Sequence, residues 1–267
     1  MLPLADVIAF LDSFAPAYLA EDWDNVGLLV GDPRESASRV MTCLTITPAS
    51  CAEAIAKRAE LIVTHHPLPF RALKRLTTAT TPGKLLLDLV RAGIAVHSPH
   101  TAFDSAAEGI NQQLAAGLGL VDVRPLLPRK SPEEGSDDLG SGRWGRLPEP
   151  VSLRVLADRL KTYLQIGGLH AVGDDRTLIQ TAAVACGSAG SFLEPAISAG
   201  CQLLVTGETN FHTCLEAEAQ GVALLLPGHF ASERFAVVRL AEILSAQFPT
   251  LTIWASEVER DPLRWIS

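Results

Sequence analysis

Apolar residues near the start recur at helical spacing: Leu4, Val7, Ile8, Leu11 and Phe14, with Pro16 closing the run. The pattern then changes. Arg39 to Ile46 is rich in β-branched and apolar residues and predicts a strand. Thr47-Pro48 pairs a capping residue with a proline in the first helical position, so a helix is expected to about Ala59. Leu61 to Thr64 predicts a short buried strand. Thr81-Pro82 repeats the cap-plus-proline signal and opens a helix through Leu85, Leu86, Leu89 and Val90. Ile94 to His97 predicts another strand, and Ile110 to Leu118 another helix. Strands alternating with helices of this length predict βαβ units and a mostly parallel sheet.

From Leu127 to Gly142 the hydrophobic period is lost and proline, glycine, serine and charge dominate, which reads as a linker between two halves. Beyond it, Ser152 caps a helix to about Leu164. Leu178 to Cys186 predicts a strand, followed by a Gly/Ser loop, a helix from Phe192 to Ala199 and the strand Leu203 to Thr206. A helix from Phe211 to Ala219, a strand from Val222 to Leu226, a helix from about Ser232 to Gln247 and a strand from Leu251 to Trp254 complete the chain. The halves look alike. Leu61-Ile-Val-Thr-His65 matches Leu203-Leu-Val-Thr-Gly207, and in each half a glycine, a strand and a histidine follow (His100 after Pro99, His229 after Pro227-Gly228). The expected fold is α/β, with two similar lobes and mostly parallel sheets. One lobe would span residues 1–127 plus 229–267 and the other 128–228.

Composition narrows the classes. At 267 residues the chain is long enough for two domains, and 48% hydrophobic against 19% charged residues excludes a disordered chain. A net charge of −8 argues against a protein that binds nucleic acid through its backbone, because that affinity comes from neutralising phosphates. The five cysteines form no CxxC pair and read as reduced core residues. Neither a basic secretory leader nor a membrane span is expected, which makes the expected location cytoplasmic.

The chemistry gathers after strands. In parallel α/β sheets, ligands bind beyond the carboxyl ends of strands. Thr64-His65-His66-Pro67 places two imidazoles at one such end, where Pro67 keeps His66 extended. His100-Thr-Ala-Phe-Asp104 places an imidazole and a carboxylate at a second. His229-Phe-Ala-Ser-Glu233 places another pair at a third, on one helix face if the helix starts by His229. Taken singly, each has a plainer reading: a surface loop, a capping aspartate, a polar pair at a helix start. Together they suit a divalent cation held in a cleft between the lobes. His97 reads as a core or supporting histidine, and Glu208 follows another strand. Gly187-Ser-Ala-Gly-Ser191 could hold an anion on its N–H groups or form a tight turn. Arg71, Lys74 and Arg75 could meet phosphate or simply face solvent, while His170 and His212 lack ligand spacing.

These segments resemble the Nif-three-like dinuclear-metal-centre proteins, the GTP cyclohydrolase I type 2 homologues. The resemblance rests on Trp23-Asp-Asn-Val-Gly-Leu-Leu-Val-Gly-Asp32, Val63-Thr-His-His-Pro67, His100-Thr-Ala-Phe-Asp-Ser-Ala-Ala-Glu-Gly109, Val205-Thr-Gly-Glu208 and Gly228-His-Phe-Ala-Ser-Glu-Arg234. It implies two divalent metal ions (zinc, manganese, iron or cobalt) held by His65, His66, Asp104, His229 and Glu233, with His100 at the edge of the site. It also implies a hexameric ring of dimers and hydrolytic opening of a guanine imidazole ring with loss of formate. His100, His97 and Glu208 are then the candidate proton donors. A phosphoesterase using Arg71 or Arg234, or a metal-carrying protein without catalysis, are the competing readings.

Overall fold

The computed structural model describes residues 2–129 and 139–264. The chain divides into two units, one of residues up to Phe103 together with those from Ala236, the other Asp104–Phe235.

The first unit is built on a five-stranded sheet in the order Thr252–Ala255, Arg39–Cys43, Leu61–Thr64, Ala95–Ser98, Gly27–Val30. The first four are mutually parallel and the last is antiparallel. Leu61–Thr64 lies at the centre and is buried at every position, which is why it reads as an unbroken apolar run rather than an alternating one. Met41, Ile62 and Val96 pack with Cys51 and Ala54 of the helix Pro48–Ala56 and with Leu85, Leu86 and Leu89 of the helix Thr81–Ala92. Thr47 caps the former: its Oγ1 accepts from the Ser50 N–H while the Ser50 hydroxyl accepts from the Thr47 N–H. The latter is capped by Thr80, one residue before the expected Thr81, because Thr80 Oγ1 is the atom that reaches the Gly83 N–H.

The second unit carries a six-stranded sheet in the order Val121–Pro128, Gly140–Ser152, Leu178–Ser188, Leu203–Glu208, Ala223–Leu226, His170–Val172. Its centre is a parallel trio, Leu178–Ser188, Leu203–Glu208 and Ala223–Leu226. Antiparallel strands flank the trio on both sides. The first sheet holds the equivalent trio in the equivalent order. In both, the third strand leads into a helix that begins with histidine: His100–Ser105 and His229–Gln247. The last helix thus starts one turn earlier than expected from Ser232.

Two expectations change. Leu127 pairs with Ser141 and Pro128 with Gly140, so the ends of the supposed linker are neighbouring antiparallel strands of a single sheet. Its middle, residues 130–138, lies outside the described residues. The units also meet the chain at 103/104 and 235/236 rather than at 127/128 and 228/229. The helix Ile110–Leu118 belongs with the second sheet because it packs on Gly140–Ser152 and Leu178–Ser188.

The last strand is tied down by one buried carboxylate. Glu53 accepts from Ser256 Oγ at 2.6 Å, Trp254 Nε1 at 3.2 Å and the Glu257 N–H at 3.1 Å, and pairs with Lys57 at 3.0 Å. Burial raises its pKa, but the bonds from Ser256, Lys57 and Glu257 outweigh it and the net shift is downward. The resulting stability is full above the unfolded carboxylate pKa and is lost as pH falls through the lower folded value. Glu53→Ala should therefore lower the unfolding free energy by about 2 kcal/mol at pH 7. In urea melts the gap between variant and parent should close on acidification; a gap that widens would contradict the assignment.

Candidate metal centre

In the first unit, three histidines gather at the ends of adjacent parallel strands. The ladder continues past Thr64, since the His65 N–H bonds Cys43 O at 3.0 Å and the His66 N–H bonds Leu44 O at 2.8 Å. Thr64 Oγ1 donates to Leu44 O and His66 O, which turns the chain at that point. The His65 ring lies 5.0 Å from His66 and 5.1 Å from His100, and one ligand atom from each of the three falls within 4.8 Å of the others.

Two of these rings are oriented from behind. Thr45 Oγ1 holds His66 Nδ1 at 2.7 Å, and Asp24 Oδ1 holds His100 Nδ1 at 2.7 Å. Each ring then presents Nε2 as its candidate ligand atom, the arrangement in which a partner on one imidazole nitrogen fixes the other. Asp24 also accepts from the Thr101 N–H and hydroxyl. Burial works against its charge, but the bonds from His100 and Thr101 prevail and bring its pKa to about 2. His100 begins its helix at a φ of 26°, unusual for a residue with a side chain, and the Asp24 contacts hold it there.

In the second unit the donors are carboxylate and imidazole. His229 and Glu233 stand one turn apart on the last helix, with Nε2 and Oε2 3.2 Å apart. His229 Nδ1 meets Glu208 Oε1 at 3.0 Å. The bond to Glu233 and, more weakly, Glu208 overcomes burial and raises the His229 pKa to about 9. A metal ion taking the His229 nitrogen would have to displace that proton. Gly187 makes room for the pair. A Cβ there would sit 2.4 Å from Glu233 Oε1 and 3.5 Å from His229 Nε2, and the residue's φ is +65°. Such a cradle, together with borderline-hard N and O donors, fits a divalent cation.

Asp104 lies one turn beyond His100 on the same short helix. Its Oδ1 accepts from Cys186 Sγ at 3.1 Å, and Asn111 bridges the Asp104 carbonyl and the Cys186 N–H. Burial, then the charges of Asp104 and Glu233, raise the Cys186 pKa well above its ordinary value, so the sulfur keeps its hydrogen. Arg143, 2% exposed, donates to the carbonyls of Ser105 and Ala106 just after Asp104 and to those of Gly140 and Gly142.

A family model described as Duf34/NIF3 (NGG1p interacting factor 3) matches residues 2–262. The chain belongs to the DUF34/NIF3 family. It is 34% identical over 243 residues to a Clostridium acetobutylicum protein named GTP cyclohydrolase 1 type 2 homolog, covering 91% of this chain and 90% of the relative. It is also 34% identical over 265 residues to NIF3-like protein 1 of Drosophila melanogaster, covering 97% and 88%. A crystal structure of a Staphylococcus aureus protein superposes with a TM-score of 0.89 at 26% identity, covering 99% of each chain. The α/β fold expected from the sequence is the NIF3 fold.

Within this NIF3 fold the remaining expected residues fall differently. His97 is 1% exposed, and its Nε2 faces Asp12 at 3.3 Å rather than the histidine cluster. Glu208 orients His229. Arg71, Lys74 and Arg75 are exposed, as are His170 and His212, and Arg234 is half-buried beside Glu233. Two N–H groups of the Gly187–Ser191 loop are already used, Gly187 N by Ser232 Oγ and Ala189 N by Thr206 Oγ1, which favours the tight turn over the anion cradle. Sequence reasoning missed Asp24, Asn111, Arg143 and Cys186 as parts of the site, and read Gly187 as part of an anion loop or tight turn rather than as the space beside Glu233. Asp24 stood within a segment quoted for the resemblance, but it lies in coil, where no periodicity marks it.

Gly187→Ala should test the cradle. The methyl collides with Glu233 Oε1 and the backbone stays strained, so divalent-metal uptake should fall at least tenfold while circular dichroism keeps its shape. Uptake equal to the parent's would show that this space is not used.

Proposed function

We propose that the protein is a dinuclear-metal-dependent hydrolase whose two ions, zinc, manganese, iron or cobalt, take as ligands His65, His66, Asp104, His229 and Glu233, the set that the family resemblance implies. The observation that carries the reading is the chemistry of the two donor sets: imidazoles and carboxylates at the ends of parallel strands, with the rings of His66, His100 and His229 oriented from behind by hydrogen-bonding partners. The relatives' name supports a more specific activity, hydrolytic opening of a guanine imidazole ring with release of formate.

When bound, the ions would supply Lewis acidity and a water acidic enough to attack near neutral pH. The protein's own groups do the rest. Glu233 has two oxygens and can serve both ions, whereas His229 offers one nitrogen to one ion. Glu208 holds the His229 ring to its task. His100, held at Nδ1 by Asp24 and outside the proposed ligand set, is the imidazole we assign to pass a proton from Nε2 to the departing ring nitrogen. Arg234, next to Glu233 in sequence, favours a second reading as a phosphoesterase, in which a guanidinium clamps phosphate. A carrier that holds metal without turnover is the third. By the family resemblance, we also propose assembly as a hexameric ring of dimers.

Protein purified in metal-replete medium should contain two ions per chain, and a content near zero would overturn the centre. Formate release from GTP identifies the cyclohydrolase. Cleavage of p-nitrophenyl phosphate without formate release identifies the phosphoesterase, and loaded protein inert to both identifies the carrier. Glu233→Ala should empty both positions and Asp104→Ala mainly one; the reverse result would move the bridging role to Asp104. Light scattering should give a mass above that of a dimer, and a monomer at micromolar concentration would refute the ring.

A further inference from the structure

Two large aromatic side chains stand in solvent beside the histidine cluster of the first unit. Trp23 is 64% exposed and Phe70 51%. Their rings lie 6.0 Å apart at 49°, and each meets the His100 ring edge-on, at 6.0 Å and 5.9 Å. The two loops that carry them are joined by a bond from Asn25 Nδ2 to Pro69 O at 2.9 Å. His100, beneath the pair, is only 7% exposed and lies 5.1 Å from His65 and 5.7 Å from His66. The three rings thus form a continuous aromatic path from solvent to the donor set.

Keeping an indole and a phenyl ring in water forgoes the burial energy that usually places them inside. Here the cost is borne at a fixed place, next to residues proposed to react. The flat faces suit a ligand that is itself flat. A simple aliphatic or small phosphoester substrate would gain little from two aromatic faces, whereas a heteroaromatic ring stacks on them regardless of its hydrogen-bonding pattern.

We infer that Trp23 and Phe70 are the substrate-recognition platform of the site, and that the ligand they take is a planar heteroaromatic ring of the nucleobase class. The inference rests on the proposed hydrolase reading only in taking the histidine cluster as the reacting end. Affinity then comes from the ring and not from any phosphate tail.

Titration of the metal-loaded protein with guanosine, GTP and inorganic triphosphate, followed by tryptophan fluorescence and calorimetry, tests this. Guanosine and GTP should quench and bind, and inorganic triphosphate should bind at least tenfold more weakly than GTP. Trp23→Leu should remove the quenching, and Phe70→Leu should weaken GTP binding ~10–100-fold. Metal content should stay at the parent's level in both, and Phe70→Tyr should restore binding. Triphosphate binding as tightly as GTP would overturn the inference. So would a Trp23→Leu variant that binds GTP normally but loses its oligomeric mass, since the pair would then face a second copy of the chain. Base-dependent binding without formate release would refute the cyclohydrolase and leave the platform standing. Formate release with unchanged KM in the Trp23→Leu/Phe70→Leu double variant would do the opposite.

Discussion

Parallel strands laid side by side release their chains at one edge of the sheet, and the placement of the candidate donors in each unit follows from that constraint. In the first unit the strands Leu61–Thr64 and Ala95–Ser98 end next to each other, and the residues that leave them are His65, His66 and His100. In the second, Leu178–Ser188, Leu203–Glu208 and Ala223–Leu226 end together and bring out Gly187, Glu208 and His229. Residues far apart in sequence become neighbours without any long loop to place them. Because the edge is set by backbone hydrogen bonds among buried apolar strands, the donors inherit the rigidity of the core.

Gathering polar groups at a buried edge costs desolvation, and the surrounding residues show how that cost is met. His65, His100 and Glu233 are nearly inaccessible to solvent. An imidazole or carboxylate so placed is tolerable only when its atoms find partners. Asp24 supplies one behind His100, Thr45 and Glu208 do the same behind the half-buried rings of His66 and His229, and each also fixes which ring nitrogen is offered forward. Arg143 performs a comparable task without touching a donor side chain. Its guanidinium collects carbonyls from Ser105, Ala106, Gly140 and Gly142, holding the backbone just after Asp104 against the start of the strand Gly140–Ser152. Burial lowers its pKa to about 10, still well above neutrality, so it remains a cation that several carbonyl dipoles can satisfy.

Much of this was legible in the sequence because the strands and their exits are local. Leu61–Thr64 and Leu203–Glu208 announce themselves as apolar runs, and a histidine or carboxylate just past such a run is a local signal too. Ile110–Leu118 and Phe211–Ala219 were readable to the residue from their periodicity. The hairpin of Val121–Pro128 and Gly140–Ser152 was not. Its polar, glycine-rich interior looks like a linker, and antiparallel pairing between residues on either side leaves no period in either segment. Gly27–Val30 was missed for a related reason, being a short edge strand that is half-buried throughout and shows no alternation. The oriented partners were least legible of all. Asp24 meets His100 across 76 residues and Asn111 meets Cys186 across 75, distances at which only the completed fold makes the pairing visible.

Cys186 shows how position decides chemistry at such an edge. A thiolate within reach of Asp104 would be a strong, soft metal ligand and would shift the preference of the second donor set toward thiophilic ions. Burial, with two carboxylates nearby, disfavours that anion. The protonated sulfur instead donates to Asp104 Oδ1, and Asn111 ties the backbones of the two residues together. The same carboxylates that would attract a cation therefore keep the neighbouring sulfur neutral, leaving the donor set to oxygen and nitrogen.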